Sequence, residues 1–125
     1  YLMITARFYQ KPSQGSIHMT LRGHAEAAPK GEDLICASAT MLAYTAAQAV
    51  QFMYEQDKLK KKPKIHIKDG EATIIATPTE DAYAEALHTF WVAQCGAHVL
   101  AHNYPQNVKL EHCFANSFCL WISSV

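Results

Sequence analysis

The sequence lacks the features that mark several common classes of protein. No stretch approaches the roughly 18 consecutive apolar residues of a membrane-spanning helix, and residues 1–7 lack the basic segment and long apolar segment of a secretory signal. There is no glycine-rich phosphate-binding loop. Eleven basic and eleven acidic residues cancel, so no net charge attracts the whole protein to nucleic acid or to a membrane. We expect a soluble, intracellular protein that needs no cofactor.

Cysteines are few and show no pairing pattern. The four of them, Cys36, Cys95, Cys113 and Cys119, include no Cys-x-x-Cys pair and lack the density of a secreted disulfide scaffold. We therefore expect reduced thiols. The 125 residues, half of them hydrophobic, suit a single domain with a real core. We assign residues 1–111 to one α+β domain and residues 112–125 to a C-terminal extension of uncertain structure.

Alternating apolar residues and turn signals predict four strands. They are expected at residues 4–9, 16–21, 65–67 and 72–76, and Asp69-Gly70 is a strong hairpin signal between the last two. Helical periodicity predicts one helix from Asp33 to about Gln56 and another from Thr79 or Glu80 to about Asn103. This ββαββα order predicts an α+β two-layer sandwich, with one mainly antiparallel four-stranded sheet and two helices on one of its faces.

Each predicted helix has one apolar face that is expected to pack on the sheet. In the first helix this face contains Ile35, Ala39, Leu42, Ala46, Ala49 and Met53. In the second helix it contains Tyr83, Ala86, Phe90, Ala93, Ala97, Leu100 and Tyr104.

Cys36 stands near the start of the first helix, twelve residues after His24. Unpaired N–H groups and the positive end of the helix dipole favour a thiolate at such a position. With the imidazole of His24 as a base, Cys36 has the chemistry of a nucleophile. Cysteine is also among the most buried residue types, and a nearby cysteine and histidine often occur by chance. The spacing alone leaves both interpretations open.

The residues around this pair form an extended motif. It begins with Gly23-His24-Ala25, continues through a short glycine-containing loop, and then reads Gly31-Glu32-Asp33-Leu34-Ile35-Cys36-Ala37-Ser38. This motif strongly resembles the signature of the ribosomal-processing cysteine protease (Prp) family. The Asp69-Gly70 hairpin and the segment from Asn103 to Val108 are also similar to that family. The resemblance covers about residues 1 to 111, and its specific part lies within residues 23–40.

The resemblance implies a cytoplasmic, homodimeric bacterial endopeptidase that removes the N-terminal extension of a large-subunit ribosomal protein precursor. It implies that His24 and Cys36 form a catalytic dyad. The positions expected to bind or orient the substrate are Gly23, Gly31, Asp33, Ala37, Ser38 and Thr40.

Three finer expectations follow for this site. For Asp33, capping of the helix by its carboxylate is favoured over orienting His24. The N–H groups of Cys36 and Ala37 are expected to bind the oxyanion, and residues 23–32 are expected to act as a lid.

The chain departs from the family pattern in two places. Thr40 stands where a serine is common, and residues 112–125 run beyond the usual end. Thr40 keeps the hydroxyl group but adds a methyl group beside the predicted pocket. The extra residues add a strand, cover a groove or form an unrelated tail.

A second group of residues, on the predicted second helix, suggests a different function. Five residues recur at steps of three and four, so they form a stripe on the side of the helix opposite its apolar face: His88, Trp91, Cys95, His98 and His102. Cys95, His98 and His102 have the helical spacing of zinc ligands, although no metal is implied by the family resemblance. A homodimer interface that includes Trp91 is the favoured interpretation of this stripe.

Two further alternatives concern binding. The lysines at positions 58, 60, 61, 62 and 64 form a basic connector, and no aromatic residue interleaves them as in single-strand nucleic-acid sites. Nucleic-acid binding is therefore not expected. The main alternative to an enzyme is a non-catalytic module that binds a ribosomal protein segment and in which Cys36 is simply buried.

Overall fold

The structure, a computed structural model, describes residues 3–24 and 33–114 and consists of a sheet and two long helices. The elements in chain order are β1 (Ile4–Lys11), β2 (Ser16–Arg22), α1 (Leu34–Glu55), β3 (Lys64–Lys68), β4 (Glu71–Ala76), α2 (Tyr83–Asn103) and β5 (Val108–His112). A short 3-10 turn, Pro12–Gln14, joins β1 to β2. The predicted α+β class with two helices is confirmed.

The sheet has five strands in the order β3-β4-β2-β1-β5. The β1–β2, β2–β4 and β3–β4 pairs are antiparallel, but β5 pairs parallel to β1. Three of the four pairs are thus antiparallel, as predicted, but the predicted four-stranded sheet is wrong by one strand, because β5 adds a parallel pair at the edge. β5 alternates as a strand should, since Val108 is buried and Lys109 is exposed. Arg7 Nε in β1 donates to Glu111 Oε1 in β5 at 2.8 Å.

The core lies between one face of the sheet and the two helices. Alternate residues of β1, β2 and β4 are buried on this side: Ile4, Ala6, Phe8, Ile17, Met19, Leu21, Ala72, Ile74 and Ala76. From α1, Ile35, Ala39, Ala46 and Met53 are buried as predicted, while Leu42 is half-buried against them. From α2, Ala86, Phe90, Ala93 and Ala97 are buried as predicted.

The predicted ends of α2 need two corrections. The helix begins at Tyr83 and not at residue 79 or 80, because the N–H of Ala82 donates to the Thr79 carbonyl at 3.1 Å and closes a turn before the helix. Tyr104 is 42% exposed and lies outside the core, because the helix ends at Asn103 and the chain turns away there.

Beyond β5, the N–H of buried Phe114 donates to buried Gln94 at 2.8 Å. Residues 115–125 of the predicted extension lie outside the described part of the chain.

The basic connector between α1 and β3 is anchored at its beginning. Leu59 is buried and forms a bridge with Pro78, and Lys58 Nζ donates to Glu85 Oε2 at 2.9 Å. The next three lysines, at positions 60–62, are exposed, which is typical of a solvated connector. No helix in the described ranges is long and apolar enough to cross a membrane.

His18 lies on the other face of the sheet and is buried there. Its ring stacks on Tyr9 with the centroids 4.8 Å apart, and its Nε2 lies 2.8 Å from Ser16 Oγ. Burial lowers the pKa of His18 below its ordinary value of 6.5, and the charge of Lys11 lowers it further. The neutral ring is therefore the form that the fold favours.

We expect the free energy of unfolding to decrease as the pH falls below 6.5. Because the folded pKa of His18 is depressed, the unfolded chain binds the proton more readily, so the stabilisation is complete above pH 6.5 and is lost below it. Urea unfolding between about pH 7.5 and about pH 5 should show a smaller loss of stability in His18→Gln than in the original protein. An equal slope in His18→Gln would contradict this prediction.

Candidate active site

Cys36 lies in the first turn of α1, half-buried against the core. The helix begins there because Asp33 caps it: the Asp33 carboxylate oxygen Oδ1 accepts hydrogen bonds from the N–H groups of Ile35 and Cys36, both at 3.0 Å. The predicted N-cap is confirmed. One turn later, Thr40 Oγ1 donates to the Cys36 carbonyl at 2.8 Å. The thiol is thus fixed at the positive end of a helix of 22 residues.

His24 follows β2 and lies beside the turn that joins β3 to β4. In the β2–β4 register Arg22 is opposite Glu71, so the next two residues, Gly23 and His24, fall opposite Gly70 and Asp69. The N–H of Gly23 donates to the Gly70 carbonyl at 2.9 Å, and His24 Nδ1 lies 3.9 Å from Asp69 Oδ1. The sheet register therefore determines where the imidazole stands.

Gly23 has a left-handed φ of 105°. A Cβ at this position would overlap the Met3 carbonyl oxygen and lie 3.2 Å from the carbonyl carbon. A side chain is therefore excluded there both by sterics and by backbone conformation. Its role is to let the chain pass between Met3 and the β3–β4 turn on the way to His24.

Cys36 and His24 line the same cavity, which has a volume of about 360 Å³. One wall is α1, where Cys36, Thr40 and Tyr44 lie four residues apart on one face of the helix. The β3–β4 turn and the end of β2 also line the cavity. The stretch of α1 from Cys36 to Tyr44 is about 12 Å long, which corresponds to between three and four residues of an extended peptide, at about 3.3 Å each.

The structure brings some of the predicted site residues together and separates others. Gly23, His24, Cys36 and Thr40 line the cavity, and Asp33 caps the helix beside it. Ala37 and Ser38 are exposed and do not line it, because they follow Cys36 around the outer side of α1. Ser38 Oγ donates instead to the Leu34 carbonyl at 2.7 Å. Gly31 and most of the predicted lid, residues 25–32, lie outside the described residues.

The two N–H groups expected to bind the oxyanion are already engaged. That of Cys36 donates to the Asp33 carboxylate at 3.0 Å, and that of Ala37 donates to the Asp33 carbonyl at 3.1 Å. The N–H of Cys36 therefore belongs to the N-cap, and the N–H of Ala37 makes the first backbone hydrogen bond of the helix. The predicted oxyanion site is therefore not available in this arrangement.

Sequence reasoning missed the other half of the cavity. Tyr44 was not singled out, although it continues the spacing of four residues from Cys36 and Thr40. Asp69 and Gly70 were recognised as a hairpin turn and as part of the family resemblance, but not as neighbours of His24. Their proximity to His24 depends on which strands pair and in which register, and local sequence signals do not specify either.

The stripe on α2 is exposed at His88, Cys95, His98 and His102, whereas Trp91 is half-buried against the core. Within residues 3–24 and 33–114, no three His, Cys, Asp or Glu side chains come close enough together to hold a metal ion. The helical spacing of Cys95, His98 and His102 does not by itself create a ligand set. The apolar side chains Val92 and Val99 are 55% and 59% exposed on the same helix.

Asp33 provides a test of the local structure at the site. Asp33→Ala should lower the free energy of unfolding by about 1 kcal/mol, because two N–H groups in the first turn lose their acceptor. Asp33→Asn keeps a side-chain oxygen at the same place and should retain most of that stability. Urea denaturation measures both. An equal loss in the two variants would show that the cap does not contribute through its hydrogen bonds.

Comparisons with known proteins agree with this architecture. A family model described as "Cysteine protease Prp" matches residues 3–109. The ribosomal processing protease Prp from S. aureus, in a crystal structure with a covalently linked product peptide, is 20% identical, with a TM-score of 0.67 over 89% of this chain and 100% of that chain. Its structure with a substrate peptide gives 18% identity and a TM-score of 0.61, over 89% of this chain and 100% of that one.

A Streptococcus mutans protein of known structure is 22% identical, with a TM-score of 0.62 over 88% of this chain and 93% of that chain. At these identities the structural likeness shows the fold. No curated protein matches the sequence significantly.

Proposed function

The chain belongs to the cysteine protease Prp family, and on that premise we propose that it is a cysteine endopeptidase with Cys36 as nucleophile and His24 as general base. The observation that carries this proposal is that Cys36 and His24 line one cavity. Cys36 comes from α1 and His24 follows the end of β2. If the two residues were close in the sequence only by chance, there would be no reason for both to line the same cavity.

The exposure of the two side chains argues against a purely binding role. A non-catalytic module was expected to bury Cys36, but Cys36 is half-buried and lines the cavity. His24 keeps 38% of its side chain exposed, so the ring is accessible to a peptide in the cavity. These two observations support a role for both groups in contact with substrate.

The proposed reaction has two steps. The Cys36 thiolate forms a bond to the scissile carbonyl carbon, and the C–N bond then breaks as protonated His24 donates its proton to the leaving amine. In the second step, water attacks the carbonyl carbon of the resulting thioester while His24 accepts a proton from the water, and the C–S bond then breaks with the Cys36 thiolate as the leaving group. The carboxylic acid product leaves, and Cys36 is regenerated.

Binding the oxyanion in this reaction requires a rearrangement or other donors, because the N–H groups of Cys36 and Ala37 are engaged with Asp33. Displacement of the Asp33 carboxylate from the Cys36 N–H by substrate would free one donor. Loss of one such donor raises the barrier by about 3 kcal/mol, so this exchange is important for the rate.

The proposed substrate is the precursor of a large-subunit ribosomal protein, which the enzyme would shorten at its N-terminus. Support comes from the family match and from the similar S. aureus protein, which is described as a ribosomal processing protease. The cavity accommodates a few residues of extended chain, as an N-terminal extension requires.

Mixing the protein with a full-length ribosomal protein precursor tests this proposal. We expect mass spectrometry to show one cleavage that releases the N-terminal extension, together with a new free N-terminus on the mature protein. The same precursor without its extension is the matched control and should stay intact. An uncleaved precursor in a stable complex with the protein would support the binding module instead.

The proposal includes a cytoplasmic location and a homodimer formed through the outer face of α2. The support for the dimer is that exposed Val92 and Val99 flank the stripe around Trp91, which gives this helix face apolar area. Sedimentation at micromolar concentration should show a dimer. A single monomeric species would count against it.

A further inference from the structure

The turn between β3 and β4 is in direct contact with the His24 ring. A Cβ built on Gly70 would overlap His24 Nε2 and would lie 3.1 Å from Cε1 and 3.2 Å from Cδ2. The imidazole thus occupies the space that any side chain at Gly70 would need. On the other side of the ring, Nδ1 lies 3.9 Å from Asp69 Oδ1. The two turn residues therefore approach the two ring nitrogens.

The backbone joins the same two segments. The Gly23 N–H donates to the Gly70 carbonyl at 2.9 Å, which extends the β2–β4 pairing beyond the Arg22–Glu71 pair. This hydrogen bond sets the distance between the turn and the residue that carries the imidazole. The ring contact is thus a consequence of the sheet register and not of a chance side-chain orientation.

We propose that the Asp69-Gly70 turn is the positioning element for His24, with Gly70 providing the space for the ring and Asp69 orienting its Nδ1 side. This inference rests on the proposed function, in which His24 is the general base. Gly70 and Asp69 act through His24 and are positioning residues.

The role of Gly70 differs from the ordinary role of glycine in a turn. Gly70 has a left-handed φ of 77°, which by itself favours glycine. Gly15, which ends the turn between β1 and β2, has a similar φ of 63° but has no atom within 4 Å of the position that a Cβ would take. The two glycines share the backbone requirement, and only Gly70 has a catalytic side chain in the space beside it.

Asp69 is expected to contribute less than Gly70 to the position of His24. Its side chain is 79% exposed, and pairs of this exposure contribute little in open solvent. Two other charged side chains, Lys68 and Glu71, line the cavity near the turn. Glu71 already pairs with Arg22, at 3.0 Å. Asp69 Oδ1 approaches Nδ1 to 3.9 Å, and a bound peptide would remove water from this pair.

Kinetics of paired glycine variants test the role of Gly70. We expect Gly70→Ala and Gly70→Asn to lower kcat at least about 30-fold with KM nearly unchanged, because displacement of a catalytic group by about 1 Å costs on the order of 100-fold. Asparagine tolerates a left-handed φ. Gly70→Asn therefore introduces the overlap with the His24 ring while adding less backbone strain than Gly70→Ala. Gly15→Ala and Gly15→Asn should keep kcat within about twofold. A wild-type kcat in Gly70→Asn, or a loss confined to KM, would overturn the role of Gly70.

Asp69→Asn removes the charge and should lower kcat about threefold to fivefold, the range of an exposed pair. Asp81→Asn, at an exposed position in the turn before α2, should leave kcat unchanged. A wild-type kcat in Asp69→Asn would overturn the role of Asp69.

Thermal unfolding tests the contact without relying on activity. Gly70→Ala should lower Tm in the original protein, and the decrease should be at least about 3 °C smaller in a His24→Ala background, where the overlapping ring is absent. The decrease caused by Gly15→Ala should be the same in both backgrounds. Equal decreases for Gly70→Ala would overturn the inference. If the protein cleaves no precursor, the proposed function fails, while the Tm comparison still decides whether Gly70 accommodates the ring.

Discussion

Replacing Cys36 by alanine is expected to reduce precursor cleavage about 10⁴-fold or more without unfolding the protein. Loss of the proposed nucleophile would remove the covalent pathway entirely, and what remains in such enzymes comes from binding and electrostatics alone. Cys36 is half-buried at the edge of the core, so alanine removes one sulfur atom and leaves the helix start intact. Initial rates of precursor cleavage, measured together with thermal unfolding, separate loss of chemistry from loss of structure.

Two other cysteines provide matched controls for this variant. Cys95 and Cys113 are exposed, and neither lines the cavity. Partial burial raises the pKa of the Cys113 thiol, which makes it a poorer nucleophile near neutral pH. Cys95→Ala and Cys113→Ala should therefore cleave at nearly the original rate. Full activity in Cys36→Ala would exclude the proposed mechanism.

Replacing His24 by glutamine is expected to lower kcat by about 10²- to 10⁴-fold, the usual contribution of general acid–base catalysis. Glutamine keeps a polar side chain beside Asp69 but neither accepts the thiol proton nor protonates the leaving amine. We expect KM to change little, because the change affects proton transfer more than the shape of the cavity. Steady-state kinetics with the same precursor measure both constants.

His66 is the appropriate control for this substitution. His66 lies in β3, next to the turn that carries Asp69. Its Nε2 is 3.8 Å from Glu71 Oε1, an arrangement similar to that of His24 and Asp69. His66→Gln should therefore reproduce any general effect of losing a histidine near this turn and should retain kcat. Equal losses in His24→Gln and His66→Gln would indicate that the hairpin is disturbed and that His24 has no special role.

Local signals were sufficient to predict most of the elements. Asp33 followed by an apolar helical face predicted both the start of α1 and its cap, since the acceptor and the N–H groups lie within three residues of each other. The β3–β4 hairpin was predicted for the same reason, from Asp69-Gly70 between two apolar runs. These structures depend on neighbours in the chain, which a sequence shows directly.

β5 was missed even though its alternation is present in the sequence. Val108 and Leu110 alternate with Lys109 and Glu111, but only five residues follow this pattern. What makes them a strand is the edge of β1, which lies about one hundred residues earlier in the chain. A parallel partner so distant leaves no turn signal between the two strands.

The proposed catalytic pair was identified through the family signature, but the geometry around it was not predicted. The contact of His24 with Asp69-Gly70 follows from the pairing of β2 with β4, elements separated by the whole of α1. The predicted oxyanion donors failed for a different reason. The N–H groups that a helix start leaves unpaired are the ones that its N-cap and first helical bond use, and Asp33 occupies both predicted donors.

Detection of the acyl-enzyme tests the central claim most directly, that Cys36 is the nucleophile of a peptidase. The protein would be mixed with precursor, quenched in acid within the first turnover, digested and analysed by mass spectrometry. We predict that the peptide containing Cys36 gains the mass of the N-terminal fragment as a thioester, and that Cys36→Ala shows no adduct and no cleavage. Cleavage of the precursor by Cys36→Ala, or an adduct on Cys95 or Cys113 in place of Cys36, would contradict the claim.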